Sequence, residues 1–200
     1  MKDDLAVTES YVEAARALIK NGDARSATLL LQEEALPRMV DAGRLAQAAK
    51  LHDEVAKLFE DEHEFTEAIE HYGKAADLFS AENSASTAAK AKQNQARLYA
   101  MLDEPDYEKS AELYAECGVE AMSSQLLKFG AKECFLRAVF CTLARNDVVT
   151  AEQQFEKFKE QDYTLEGACF SHIRLFQPLH SRLTLSTTHT QIQVPARVSY

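Results

Sequence analysis

Apolar residues recur every three to four positions along most of this chain, the phase of an amphipathic helix and not of a strand. A first helix is expected from about Leu5 to Lys20, stopped by Asn21-Gly22-Asp23. Gly22 suits the left-handed position after a helix, and Asp23 can cap the next one. A second helix runs through residues 24–40, where Pro37 removes a backbone donor and predicts a kink or a restart. After Gly43, the residues Leu45, Ala48, His52, Val55, Ala56 and Phe59 trace the stripe of a third. Polar breaks at 60–64, 82–86 and 103–106 bound a helix ending near Ala81 and another reaching about Leu102. A helix from Tyr107 is expected to end at Gly118. A long one then spans about Ser123 to Arg145, and a last one runs from Val148 to about Gln161. No segment alternates with period two, so no strand is expected.

A smaller skeleton repeats inside this pattern. Ala68, Tyr72 and Ala75 share one helix face; Ser110, Tyr114 and Cys117 repeat the spacing, and Ala151, Phe155 and Phe158 repeat it again. The period of about 41 to 42 residues marks a solenoid of helical hairpins, in which each hairpin buries its apolar face on its neighbour. The small residue lets two helices approach and the aromatic fills the groove beside it. The fold class is therefore all-α, a tetratricopeptide-like array expected to twist right-handed. Its repeat is longer than the roughly 34 residues of the tetratricopeptide unit, and the W-x-x-L-G-x-x-Y pattern of that unit is absent.

Composition narrows the function without naming it. The chain is 46% apolar and 27% charged, with net charge −10, which disfavours a general nucleic-acid binder. Cys117, Cys134, Cys141 and Cys169 include no C-x-x-C pair and read as small apolar residues of a reducing compartment. The acidic start carries no signal-peptide pattern and no run is long enough to span a membrane, so a cytoplasmic protein is expected. No nucleotide-binding or nucleophile-elbow motif occurs. His63 opens H-E-F-T-E, with Glu67 where a zinc protease needs its second His. His52 reads as a core or edge residue. His172, His180 and His189 have weak metal spacing in a segment without helical periodicity. No enzyme, metal or cofactor is expected.

The cations are better ordered. Arg44, Lys50, Lys90, Lys92, Lys128 and Lys132 lie in, or just before, the first helices of their hairpins. Gathered on one face, they would attract an acidic partner; scattered, they serve solubility.

Residues 42–60, 67–79, 107–138 and 151–158 resemble the alpha-SNAP family, the soluble NSF attachment proteins. The G-R-x-x-x-A-A-K segment at 43–50 and L-L-K-F-G-A-K-E at 126–133 are its most specific motifs here, and the likeness runs from about Leu18 to Glu166. Such a resemblance implies an adaptor in vesicle fusion and intracellular protein transport. Several copies wrap an assembled SNARE four-helix bundle with a concave face and recruit the NSF ATPase. It implies SNARE contacts at Arg44, Lys50, Lys90 and Lys132, to which the ordering of the cations adds Lys92 and Lys128. Asn94 stands where the family often has another lysine. It implies no cofactor, no nucleic acid, and only peripheral membrane association through SNAREs. The alternative is a generic helical-repeat scaffold for another acidic helix or peptide.

The resemblance begins inside the family's solenoid and stops before the C-terminal bundle that engages the ATPase. A partial adaptor that does not stimulate the ATPase is therefore expected. Residues 1–168 form the expected solenoid. Residues 169–200 change composition abruptly, with three arginines and no acid from Phe170 onward, and are expected to be a disordered tail unlike the family.

Overall fold

The computed structural model describes residues 2–125 and 127–167, and all regular structure among them is helical. The helices are α1 (Lys2–Lys20), α2, α3 (Leu45–Asp61), α4 (Phe65–Ala81), α5 (Ala85–Tyr99), α6 (Tyr107–Ser123), α7 (Lys128–Ala144) and α8 (Val148–Gln161). A short 3-10 turn, Tyr163–Gly167, follows α8 and buries Leu165. Helix α2 is built in three pieces: α-helical Ala24–Leu30, a π turn at Leu31–Ala35, and α-helical Leu36–Asp41. Pro37 explains the middle piece. It has no N–H to donate to the turn before it, and the wider π turn absorbs that missing bond without ending the helix. The expected disordered tail falls outside the described residues, as do His172, His180, His189 and Cys169.

Tight turns set the antiparallel order. Gly22, Gly43, His63, Asn83 and Asn146 all adopt positive φ, from 55° to 83°. In the first four turns the next residue donates back across six residues: Asp23 to the Leu18 carbonyl, Arg44 to Met39, Glu64 to Phe59 and Ser84 to Phe79. That is the hydrogen-bond pattern of a left-handed helix stop. The donating residue is also the N-cap of the following helix, so one helix ends where the next begins. Asp23, Asp106 and Asp147 add side-chain caps, accepting from Ser26, Lys109 and Thr150 backbone N–H groups at 3.0–3.1 Å.

All nine residues of the repeated skeleton are buried, on α4, α6 and α8. The core is a chain of local clusters. Val12, Leu31, Leu36, Leu51 and Val55 join α1 to α3; Ile69, Tyr72 and Leu98 join α4 to α5; Tyr114, Phe135, Phe155 and Phe158 join α6 to α8. Each cluster involves near neighbours, as a solenoid requires.

Three expected boundaries shift. The helix from Tyr107 passes through Gly118 and ends at Ser123, and the next starts at Lys128 rather than Ser123. Gly118 is a contact and not a stop: a Cβ there would collide with the Phe135 ring of α7. The helix expected to reach Leu102 ends at Tyr99, where a turn through residues 100–106 carries Pro105.

Candidate functional site

The odd-numbered helices form one layer. Arg16 of α1 reaches Glu54 of α3 at 3.4 Å, Glu60 of α3 reaches Arg97 of α5 at 2.7 Å, and Gln93 of α5 reaches Cys134 of α7 at 3.3 Å. All six candidate cations belong to this layer. Arg44 is the N-cap of α3, Lys50 lies on α3, Lys90 and Lys92 on α5, and Lys128 and Lys132 on α7.

Charge divides between neighbouring helices. Helix α5 holds Lys90, Lys92 and Arg97 and no acid. Helix α6, next to it in the other layer, exposes Glu108, Glu112, Glu116 and Glu120, one per turn along a single face. The division is local to this pair, because α3 carries Asp53, Glu54, Glu60 and Asp61 beside its cations.

The six cations are not equivalent. Lys50 and Lys90 each stand six residues after the N-cap of their helix, so they repeat one position in successive hairpins. Both are exposed, and neither forms an ion pair with a described residue. Lys128 is also exposed, with its ammonium 5.5 Å from the centre of the Phe129 ring. The other three are engaged within the chain. Arg44 donates to Gln47 Oε1 at 3.0 Å and lies 3.9 Å from Glu9. Lys132 is half-buried and donates to the Thr164 carbonyl at 2.9 Å. Lys92 is held 2.5 Å from Glu120 of α6. Burial opposes its charge, but the bond to Glu120 and that carboxylate's field outweigh burial and raise its pKa. Glu133, not Lys132, occupies on α7 the position that Lys50 and Lys90 hold on α3 and α5. Asn94 sits half-buried one turn beyond Lys90.

Phe129 is 84% exposed, the largest exposure among the described large apolar side chains. Sequence reasoning passed over it. The available signal was its phase, because it lies off the stripe of Ala131, Cys134, Phe135, Ala138 and Cys141 that α7 buries. Together Lys50, Lys90, Lys128 and Phe129 give this layer three uncommitted cations and one apolar projection.

The described residues contain no group of three or more His, Cys, Asp or Glu arranged to hold a metal ion. Cys117, Cys134 and Cys141 are buried free thiols; burial raises all three, Cys117 to about 12, which keeps them unreactive. Among the described residues no helix is long and apolar enough to cross a membrane.

Comparison with known proteins places most of the chain beside one family. The family model for soluble NSF attachment proteins, SNAP, matches residues 1–173, wider at both ends than the stretch carrying the resemblance in sequence. The chain is 30% identical over 159 residues to the alpha-soluble NSF attachment protein of Vitis vinifera, covering 80% of this chain and 54% of that one. It is 38% identical over 126 residues to the alpha-soluble NSF attachment protein of Dictyostelium discoideum, covering 63% and 43%. The chain thus spans about half the length of the curated relatives it matches. Its fold is similar to the crystal structure of BtubC (BKLC) from P. vanneervenii, with TM-score 0.55 and 15% identity over 98% of this chain and 71% of that one.

Proposed function

Because this chain belongs to the soluble NSF attachment protein family, we propose that it is an adaptor that binds an assembled SNARE four-helix bundle through the basic face of its odd-numbered helices. The observation that carries this reading is the repetition of Lys50 and Lys90 at one position of successive hairpins, exposed and without ion pairs to described residues. A partner that is itself a long helical rod presents acids at a regular rise, and a solenoid presenting cations at its own regular rise can meet several at once. Phe129 adds an apolar contact at the α7 end of the same layer. The role is attachment, not catalysis: the chain holds the bundle for an NSF-type ATPase, in the cytoplasm and at membranes only through the SNAREs.

The internal engagements rank the cations. Lys50 and Lys90 meet the partner at little cost, whereas Lys132 must first leave the Thr164 carbonyl. Binding of the chain to an assembled SNARE bundle, measured by sedimentation or biolayer interferometry at low and physiological salt, tests the reading. Lys90→Glu is expected to weaken binding roughly tenfold, about 1.4 kcal/mol, and Lys132→Glu less. Salt should weaken the parent more than the variant. Equal binding by the parent and a Lys50→Glu/Lys90→Glu double variant would leave the scaffold alternative in its place.

A further inference from the structure

Gln32, His71 and His52 form a buried polar chain that the binding face does not use. Gln32 lies in the π turn of α2, and its Nε2 stands 2.6 Å from His71 Nε2. His71 Nδ1 stands 2.9 Å from His52 Nδ1. His71 is 4% exposed and His52 9%, and the Phe59 ring closes over His71 at 5.6 Å between centres. A neutral imidazole offers one donor and one acceptor. The Gln32 amide donates to His71 Nε2, so His71 carries its proton on Nδ1 and donates it to His52 Nδ1. One chain of hydrogen bonds therefore ties α2 to α4 and α4 to α3.

This arrangement tolerates protons poorly. The charges that bear on the pair are Glu70 and Lys74, both on α4 and bonded to each other at 2.5 Å. Helix α2 contributes the uncharged Gln32, and α3 contributes the second ring. An imidazolium here finds no free carboxylate among the described residues, and Lys74 opposes it. A first proton also obliges Gln32 to turn its amide and present oxygen. A second would set two N–H groups against each other across 2.9 Å. Burial foremost, then for His52 the neighbouring His71, and for both rings Lys74, holds the two imidazoles down at about 4.

We propose that Gln32, His71 and His52 act as a proton-released latch: neutral rings hold α2, α3 and α4 together, and mild acid frees the π turn of α2 from α4. Once the junction opens, the rings meet water and protonate near their ordinary value of about 6.5. The open form then binds more protons than the closed form between about pH 6.5 and 4. The advantage of the closed form is complete above that window and is lost as pH falls through it. From pH 7 to pH 5 the opening equilibrium shifts about twentyfold for one ring alone. The latch stands independently of SNARE binding.

Hydrogen exchange of the full chain at pH 7 and pH 5, corrected for intrinsic rates, tests it. Amides of residues 24–41 and 65–81 should lose protection about twentyfold or more, while those of residues 128–161 change less than about threefold. Equal loss in both regions would overturn the latch. His71→Gln should remove most of the difference, and its persistence in a folded variant would also overturn it. Should that variant fail to fold, imidazole nitrogen NMR of the parent decides. In the closed chain, a proton on His71 Nδ1 and rings still neutral at pH 5.5 support the latch; half-titration of either ring near pH 6.5 in the closed chain overturns it.

Discussion

Eight residues after the N-cap of α3 stands His52; eight after the N-cap of α7 stands Phe135. The two fill one slot of the solenoid in different ways. Phe135 is fully buried, stacks on Phe158 of α8 at 4.4 Å, and fits against Gly118 of α6. His52 is nearly as buried but meets another imidazole, and through it Gln32. The polar style continues nearby. Glu60 accepts from Arg97 at 2.7 and 2.8 Å and from the Tyr72 hydroxyl at 3.1 Å, joining α3, α4 and α5. Burial, reinforced by Glu60, raises the Tyr72 hydroxyl and keeps it a donor. One repeat therefore accepts either ring packing or hydrogen-bond networks as glue. Ring packing is indifferent to pH and salt, and the networks are not.

The largest effect should come from the apolar end. Phe135→Ala removes a ring from the packing of α6, α7 and α8 and leaves a cavity worth about 3–5 kcal/mol. Urea unfolding should show that loss equally at pH 7 and pH 5. A loss that depended strongly on pH would mean the two slots are coupled, and the contrast between them would fail.

A smaller effect is expected from the polar end. Glu60→Ala strands the Arg97 guanidinium and the hydroxyl of Tyr72, itself only 1% exposed. The pair is partly solvated, so the cost should be about 1–2 kcal/mol and not the full price of a buried ion pair. High salt should shrink the difference between parent and variant, whereas it should leave Phe135→Ala unchanged. Matching salt responses would dissolve the distinction.

Much of the apolar scaffold could be read from sequence, because a skeleton such as Ala68, Tyr72 and Ala75 encodes burial by phase alone. The networks could not. His52 and His71 are 2.9 Å apart yet sit on different helices, and nothing local to His52 announces its partner. Gly118 misleads for a related reason. Glycine within a helix weakens it and reads as an end, but here the missing side chain is what admits Phe135. The candidate face was half legible. The residue types and helices were readable, but the engagement of Lys92 with Glu120 and of Lys132 with Thr164 depends on contacts across helices.

The turns carry a second, finer periodicity that tests how far repetition goes. Left-handed residues fall at 22, 43, 63 and 83, close to half the repeat, and again at 146. Gly or Asn fills four of the five, the residues for which that conformation costs least. His63 is the exception, at φ 64°, and its ring packs edge-on to Phe65 at 5.7 Å. Its place in H-E-F-T-E falls short of a zinc-protease motif, and its backbone forms a turn. His63→Gly relieves the backbone strain, about 1–2 kcal/mol, but gives up the ring contact and adds freedom to the unfolded chain. The balance should be a small stabilisation of about 0.5 kcal/mol at pH 7, a rise in melting temperature of a few degrees at most. A destabilised variant would mean the Phe65 contact outweighs the strain, and that this turn between α3 and α4 is held by side chains where its neighbours are held by backbone alone.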